Sequence, residues 1–126
     1  MENEKVLVLL SDDLIFNSRI SAPARDDGAT VRSARDVDAA IVAARQSSAT
    51  CVIVDLALAG SRIGELLTSL RALAVPPRII AYGPHVDAAG LRAAAEAGCD
   101  IVLPRSKFSE ALDKELPRWL APRTLS

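Results

Sequence analysis

Three carboxylates carry most of the chemistry this chain can offer. Asp12 and Asp13 stand in "SDD", directly after the apolar run "KVLVLL", and Asp55 ends the run "CVIVD". Asp is depleted in strands and is almost never buried unpaired. An apolar run that finishes on one ends either in a solvated turn or where a negative oxygen is needed. If the two runs are neighbouring strands, the three acids gather at one sheet edge. Like charges so close raise each other's pKa unless a cation or a proton relieves them. Mg²⁺ suits that need, because it takes one or two carboxylates with water and backbone carbonyls. An Asp beside such an ion can also attack phosphorus and form an aspartyl phosphate. A plainer reading stays open. Asp12 and Asp13 precede a helical pattern and can cap it, helped by the helix dipole, and Asp55 can face water in a loop.

Short apolar runs alternate with longer segments of helical period. Lys5–Leu10, Cys51–Asp55, 78–82 and 100–103 read as strands, continuous rather than alternating, as in a parallel sheet covered on both faces. The more polar "ATVRSA" (Ala29–Ala34) suits a sheet edge. Helical stripes fall on Ile15, Phe16 and Ile20; on Val37, Ala40, Ile41 and Ala44; on Ile63, Leu66, Leu67, Leu70 and Leu73; and on Phe108, Leu112, Leu116 and Trp119. Residues 88–97 are Ala-rich, with helix propensity despite Gly90. Pro23 is expected to interrupt the first helix late, and Pro117 to break or kink the last. Gly28 and Gly98 are placed to stop helices before strands. Five strands and five helices in alternation predict an α/β, flavodoxin-like (βα)5 domain with a parallel sheet in the order 2-1-3-4-5, spanning 1–126 with a core from about 5 to 120. Its site belongs at the carboxyl ends of the central strands.

Composition narrows the function. The chain has 126 residues, half of them hydrophobic and few aromatic, enough for one real core. A net charge of −1 gives no basic excess for nucleic acid. No apolar run approaches a membrane span, and the polar "MENEK" lacks a signal peptide's apolar core, so a cytoplasmic location is expected. Cys51 and Cys99 read as reduced core thiols. The lone His85 has no second imidazole to complete a metal set, and "GSRIGE" follows no dinucleotide pattern. Trp119 with Leu116 and Leu120 reads as core or tail packing.

From these residues the chain resembles the receiver domain of bacterial response regulators, over roughly residues 5 to 116. The resemblance is carried by "SDD", by "VIVDLALAG" with Asp55 at the acceptor position, by "AAAEAGCDIVLPR" and by "FSEAL". It implies Asp55 as phosphoacceptor, Mg²⁺ as cofactor held by Asp12, Asp13, Asp55 and Ala57, and a histidine kinase as phosphate source. The acid pair falls on Ser11 and Asp12, or on Asp12 and Asp13 with one residue of shift. The departures lie in the switch: Tyr82 stands at the Ser/Thr position, Arg105 at the Lys position with Ser106 after it, Ala59 where a Pro is usual, and Val102 where an aromatic is usual. A phenol on a rigid ring cannot make the short bond of a Thr hydroxyl. Arg105 keeps the positive charge as a planar fork, which can pair with Asp55.

The expected function is therefore a stand-alone, atypical receiver, a pseudo-receiver. It would act through contacts with a histidine kinase or downstream effector, as a monomer or weak homodimer, without enzymatic activity and without nucleic-acid or membrane partners. A working receiver phosphorylated on Asp55 is the alternative. A small flavodoxin-like cofactor carrier is weaker, because "SDDLIF" offers acids where a flavin phosphate would want hydroxyls.

Overall fold

Each apolar run becomes a strand of one parallel sheet, ordered β2-β1-β3-β4-β5. The strands are β1 Lys5–Leu10, β2 Ala29–Ala34, β3 Cys51–Asp55, β4 Arg78–Gly83 and β5 Ile101–Pro104. The structure, a computed structural model, describes residues 4–122; residues 1–3 of the polar start and residues 123–126 lie outside the described residues. The helices are α1 Leu14–Asp26, α2 Val37–Ser47, α3 Leu56–Ala59, α4 Ile63–Arg71, α5 Ala88–Ala97 and α6 Arg105–Leu120, with a 3₁₀ turn at Gly60–Arg62. Among the described residues no helix is long and apolar enough to cross a membrane.

The continuous apolar strands are explained by a core on each face. Val8, Val52, Val54 and Ile79 point toward α2 and α4, where Ile41, Leu66 and Leu70 meet them. Leu7, Leu9, Ile53 and Ile80 point the other way, against Phe16 and Ile20 of α1 and Phe108, Leu112 and Leu116 of α6. At the β5 margin Asp100 lies just before the strand, and its carboxylate accepts the Ile79 N–H at 2.7 Å. β5 thus runs one residue later than expected, and β4 extends to Gly83.

Several expectations are corrected. Ahead of the third expected helix Asp55 caps a short helical turn, Leu56–Ala59, and α4 begins only at Ile63. Ile15 is 80% exposed, although Phe16 and Ile20 are buried. One residue is 100° of helix, and α1 turns the Phe16 side to the sheet. Leu73 lies beyond the end of α4. Neither proline stops its helix: α1 runs through Pro23 and α6 through Pro117. Pro117 deprives the Asp113 carbonyl of a donor, but both residues are exposed, so water can serve it. Buried Leu116, Trp119 and Leu120 hold the last turn to the core. Arg78 then fastens that end, donating to the carbonyls of Arg118, Trp119 and Ala121 at 2.9, 2.6 and 3.0 Å. Cys51 is buried and Cys99 half-buried, and neither is in a disulfide. Burial pushes the Cys99 thiol up to about 11.

Candidate functional site

The site forms where β1, β3 and β4 end together. Asp55 closes β3 and caps α3, its Oδ1 accepting the Ala57 N–H at 2.9 Å. The residue is only 6% exposed, so it is not a solvated turn acid. Burial is the main force pushing its carboxyl above the usual value. The Ala57 N–H and the Arg105 charge act against that shift, while Asp12 and Asp13 add to it.

The two other acids have separate tasks. Asp13 caps α1, its Oδ1 accepting the Phe16 N–H at 3.0 Å. Its Oδ2 forms an ion pair with Arg105 at 2.5 Å. The Phe16 N–H and then the Arg105 bond hold this carboxyl below the usual range. Asp12 is exposed, whereas Ser11 is buried at the end of β1. The Ser11 Oγ accepts the Asp13 N–H at 3.2 Å. The acids are near enough to feel one another, yet among the described residues no group of three His, Cys, Asp or Glu side chains is placed to hold a metal ion.

Arg105 forms its ion pair with Asp13, while its charge also acts on Asp55. It is the first residue of α6, which shares a sheet face with α1, and Asp13 stands at the start of α1. The Asp55 carboxylate instead turns to its own helical turn. The Arg105 guanidinium lies over the Phe16 ring at 4.3 Å and within 5.8 Å of the Tyr82 ring centroid. Phe16 read only as a core residue in the sequence. The signal that places it here is its spacing from the cap, since a capping Asp binds the N–H three residues on.

Tyr82 lies level with Asp55 in the β3–β4 pairing and is fully buried. Its ring stacks on Phe108 at 4.6 Å and meets the edge of Phe16 at 5.1 Å. Its hydroxyl lies 3.4 Å from Ser11 Oγ, a long contact, and burial pushes the phenol up to about 12. Beside it, Phe16, Arg105, His85, Val86 and Ser109 line a cleft of about 460 Å³. His85 is exposed there, in a turn closed by the Asp87 N–H to the Pro84 carbonyl. Val102 is half-buried and carries no ring into this region.

Solved structures place the fold. The chain is similar to a putative response regulator from Chloroflexus aurantiacus, with TM-score 0.75 and 20% identity over 93% of this chain and 98% of that one. It is similar to the receiver domain of the sensor histidine kinase PA1611 from Pseudomonas aeruginosa, whose active-site cleft coordinates magnesium, with TM-score 0.74 and 21% identity over 93% and 98%. It is also similar to NtrX from Brucella abortus in complex with ADP, at TM-score 0.73 and 18% identity, but spans only 26% of that longer chain. No family model and no curated protein matches the chain. The fold is that of response-regulator receiver domains, with the flavodoxin-like strand order.

Proposed function

We propose that the chain is an atypical receiver-like signalling module, read by a protein partner without a phosphoryl-driven switch. The observation that carries this is the packing of Tyr82. A switch needs two packings of similar energy. Tyr82 is fully buried, with its ring held between Phe16 and Phe108, and Arg105 is engaged by Asp13. The partner is a cytoplasmic kinase or effector that meets the face of α5, β5 and α6. The module has no catalytic turnover of its own, and works as a monomer or weak homodimer.

Mg²⁺ belongs to this reading as a weak ligand. Asp12, Asp55 and the Ala57 carbonyl are oxygen donors of the kind it takes, and the related PA1611 receiver coordinates it. When bound, it would neutralise the clustered carboxylates and any phosphoryl oxygens beside them.

A second reading, phosphorylation of Asp55 by a histidine kinase, is favoured by the position of that carboxylate at the end of a central strand. Against it stands the burial of Asp55, only 6% exposed, which restricts the approach of a phosphodonor. The test is intact mass after incubation with acetyl phosphate and Mg²⁺. The proposal expects no stoichiometric adduct. A full adduct that disappears in Asp55→Asn would establish the second reading instead.

A further inference from the structure

We propose that the cleft between the β4–α5 turn and the start of α6 seats an aromatic side chain of the partner, carried beside acidic residues, with Arg105 as its stacking surface. This names the anchor for the partner reading given above and rests on that reading.

Arg105 is engaged on two sides and open on a third. Its Nη2 meets Asp13 Oδ2 at 2.5 Å, and its guanidinium lies over the Phe16 ring at 4.3 Å. A planar group with a ring against one face has a second face to offer, and this side chain is 44% exposed and lines the cleft. Guanidinium planes stack on aromatic faces, whereas a Lys ammonium is a point charge without a plane. A partner's ring placed there forms the outer layer of a stack that begins with Phe16 and Arg105.

The walls suit the same occupant. Pro84 and Val86 make an apolar side, and Val86 is 80% exposed. Ser106 and Ser109 make the opposite side. The Ser109 Oγ accepts from Arg19, so its own proton remains for a carbonyl or carboxylate of the partner. Both walls are fixed before anything binds. The Asp87 N–H closes its turn onto the Pro84 carbonyl at 3.0 Å, and Asp87 Oδ1 accepts the Gly90 N–H at 3.0 Å. Arg19 ties the α6 wall through the Ser109 carbonyl at 2.9 Å. A preformed cleft of about 460 Å³ has the size of a ligand site and spares the ordering cost of binding.

Charge selects the neighbours of the ring. Among the described residues no acid lines the cleft, whereas Arg105 lines it and Arg19 stands at Ser109. Asp13 balances only one of these two cations. An acidic residue next to the ring therefore meets a positive rim. The cleft also opens at the carboxyl end of the α5, β5 and α6 face, since Val86 lies just before α5 and Arg105 begins α6.

The test is NMR titration of the intact protein with blocked tripeptides: one with Trp between two Asp residues, one with Leu in place of the Trp, and one with Lys in place of both Asp. The Trp–acid peptide should give saturable ring-current shifts at the Phe16 ring, the Val86 methyls and the Ser109 amide. The Leu and Lys peptides should bind more weakly, the Leu peptide by about tenfold. Arg105→Lys should weaken the Trp–acid peptide by about tenfold, since it keeps the charge without the plane. Val86→Ala, a change outside the core, should weaken it by a smaller factor. Equal affinity for the Trp and Leu peptides, or equal affinity in wild type and Arg105→Lys, overturns the anchor, as does the absence of saturable shifts at the cleft. Repeating the titration with beryllofluoride and Mg²⁺ separates the anchor from the reading beneath it. The same affinity is expected, and binding that appears only with the mimic keeps the anchor but contradicts a module without a switch.

Discussion

Tyr82→Thr would place at the end of β4 the small hydroxyl that the receiver pattern carries there, and its main effect should be a large loss of stability. The ring has no exposure, stacks on Phe108 at 4.6 Å and meets Phe16 at 5.1 Å. A buried aromatic removes roughly 150–250 Å² from water. At about 25 cal/mol per Å² that is roughly 4–6 kcal/mol, an upper bound set by the extended reference chain. Thr keeps part of that area and the surroundings partly collapse, so the expected loss is about 3 kcal/mol, at the low end for removing a buried ring. Tyr82→Phe gives up only the contact to Ser11, whose 3.4 Å exceeds the usual hydroxyl range. It should cost less than about 1 kcal/mol. Urea unfolding followed by Trp119 fluorescence separates the two, because the chain has one Trp and its ring lies 5.6 Å from that of Phe108. With a slope of about 2 kcal/mol per M, the midpoint should fall by about 1.5 M for Thr and by under about 0.5 M for Phe. A Thr variant as stable as wild type, or a Phe variant as damaged as Thr, would refute the packing argument.

Asp55→Asn keeps an acceptor for the Ala57 N–H but has no charge to bury. Burial raises the Asp55 pKa above the ordinary 3.8, so the folded state prefers the neutral acid. That preference stabilises fully below 3.8 and is lost as pH rises through the folded value. The variant should therefore match wild type in acid and become the more stable of the two as pH rises towards neutrality. Denaturant melts across that range check it, and a gap that closes with rising pH would contradict it. Arg78→Ala removes three hydrogen bonds to the α6 terminus. It should cost about 1–3 kcal/mol and change the Trp119 emission, and unchanged emission and stability would discard the clamp.

Much of the fold was legible because the sheet is buried on both faces. Runs such as "KVLVLL" and "CVIVD" have one reading in that setting, and the alternation of elements then restricts the order to few choices. Element ends were less legible. Ile15 and Pro117 both sit in patterns whose period was read correctly. A stripe names a helix face, but it does not tell which residue of the first turn stays outside, nor whether an exposed carbonyl can do without its donor. The extra helical turn after Asp55 is too short to show any period. The acid corner was legible as a place, since three carboxylates follow strands that topology makes neighbours. Which of them takes Arg105 was not, because the two residues of that pair lie 92 positions apart and the choice depends on how α1 and α6 start over the same face. Tyr82 was recognised as a departure at the switch position. That its ring fills the core, between Phe16 and Phe108, required the third dimension.

The central claim is that the end of β4 cannot switch. Amide NMR of the protein with and without beryllofluoride and Mg²⁺ tests it most directly, because the mimic stands in for a phosphoryl group without demanding a competent kinase. The account predicts shifts confined to the neighbourhood of Asp12, Asp13, Asp55 and Arg105. The β5 and α6 backbone around Val102 and Phe108 should be unmoved, as should the Tyr82 ring. Large shifts running from Asp55 through Tyr82 to Val102 and Phe108 would contradict it and make this a working receiver.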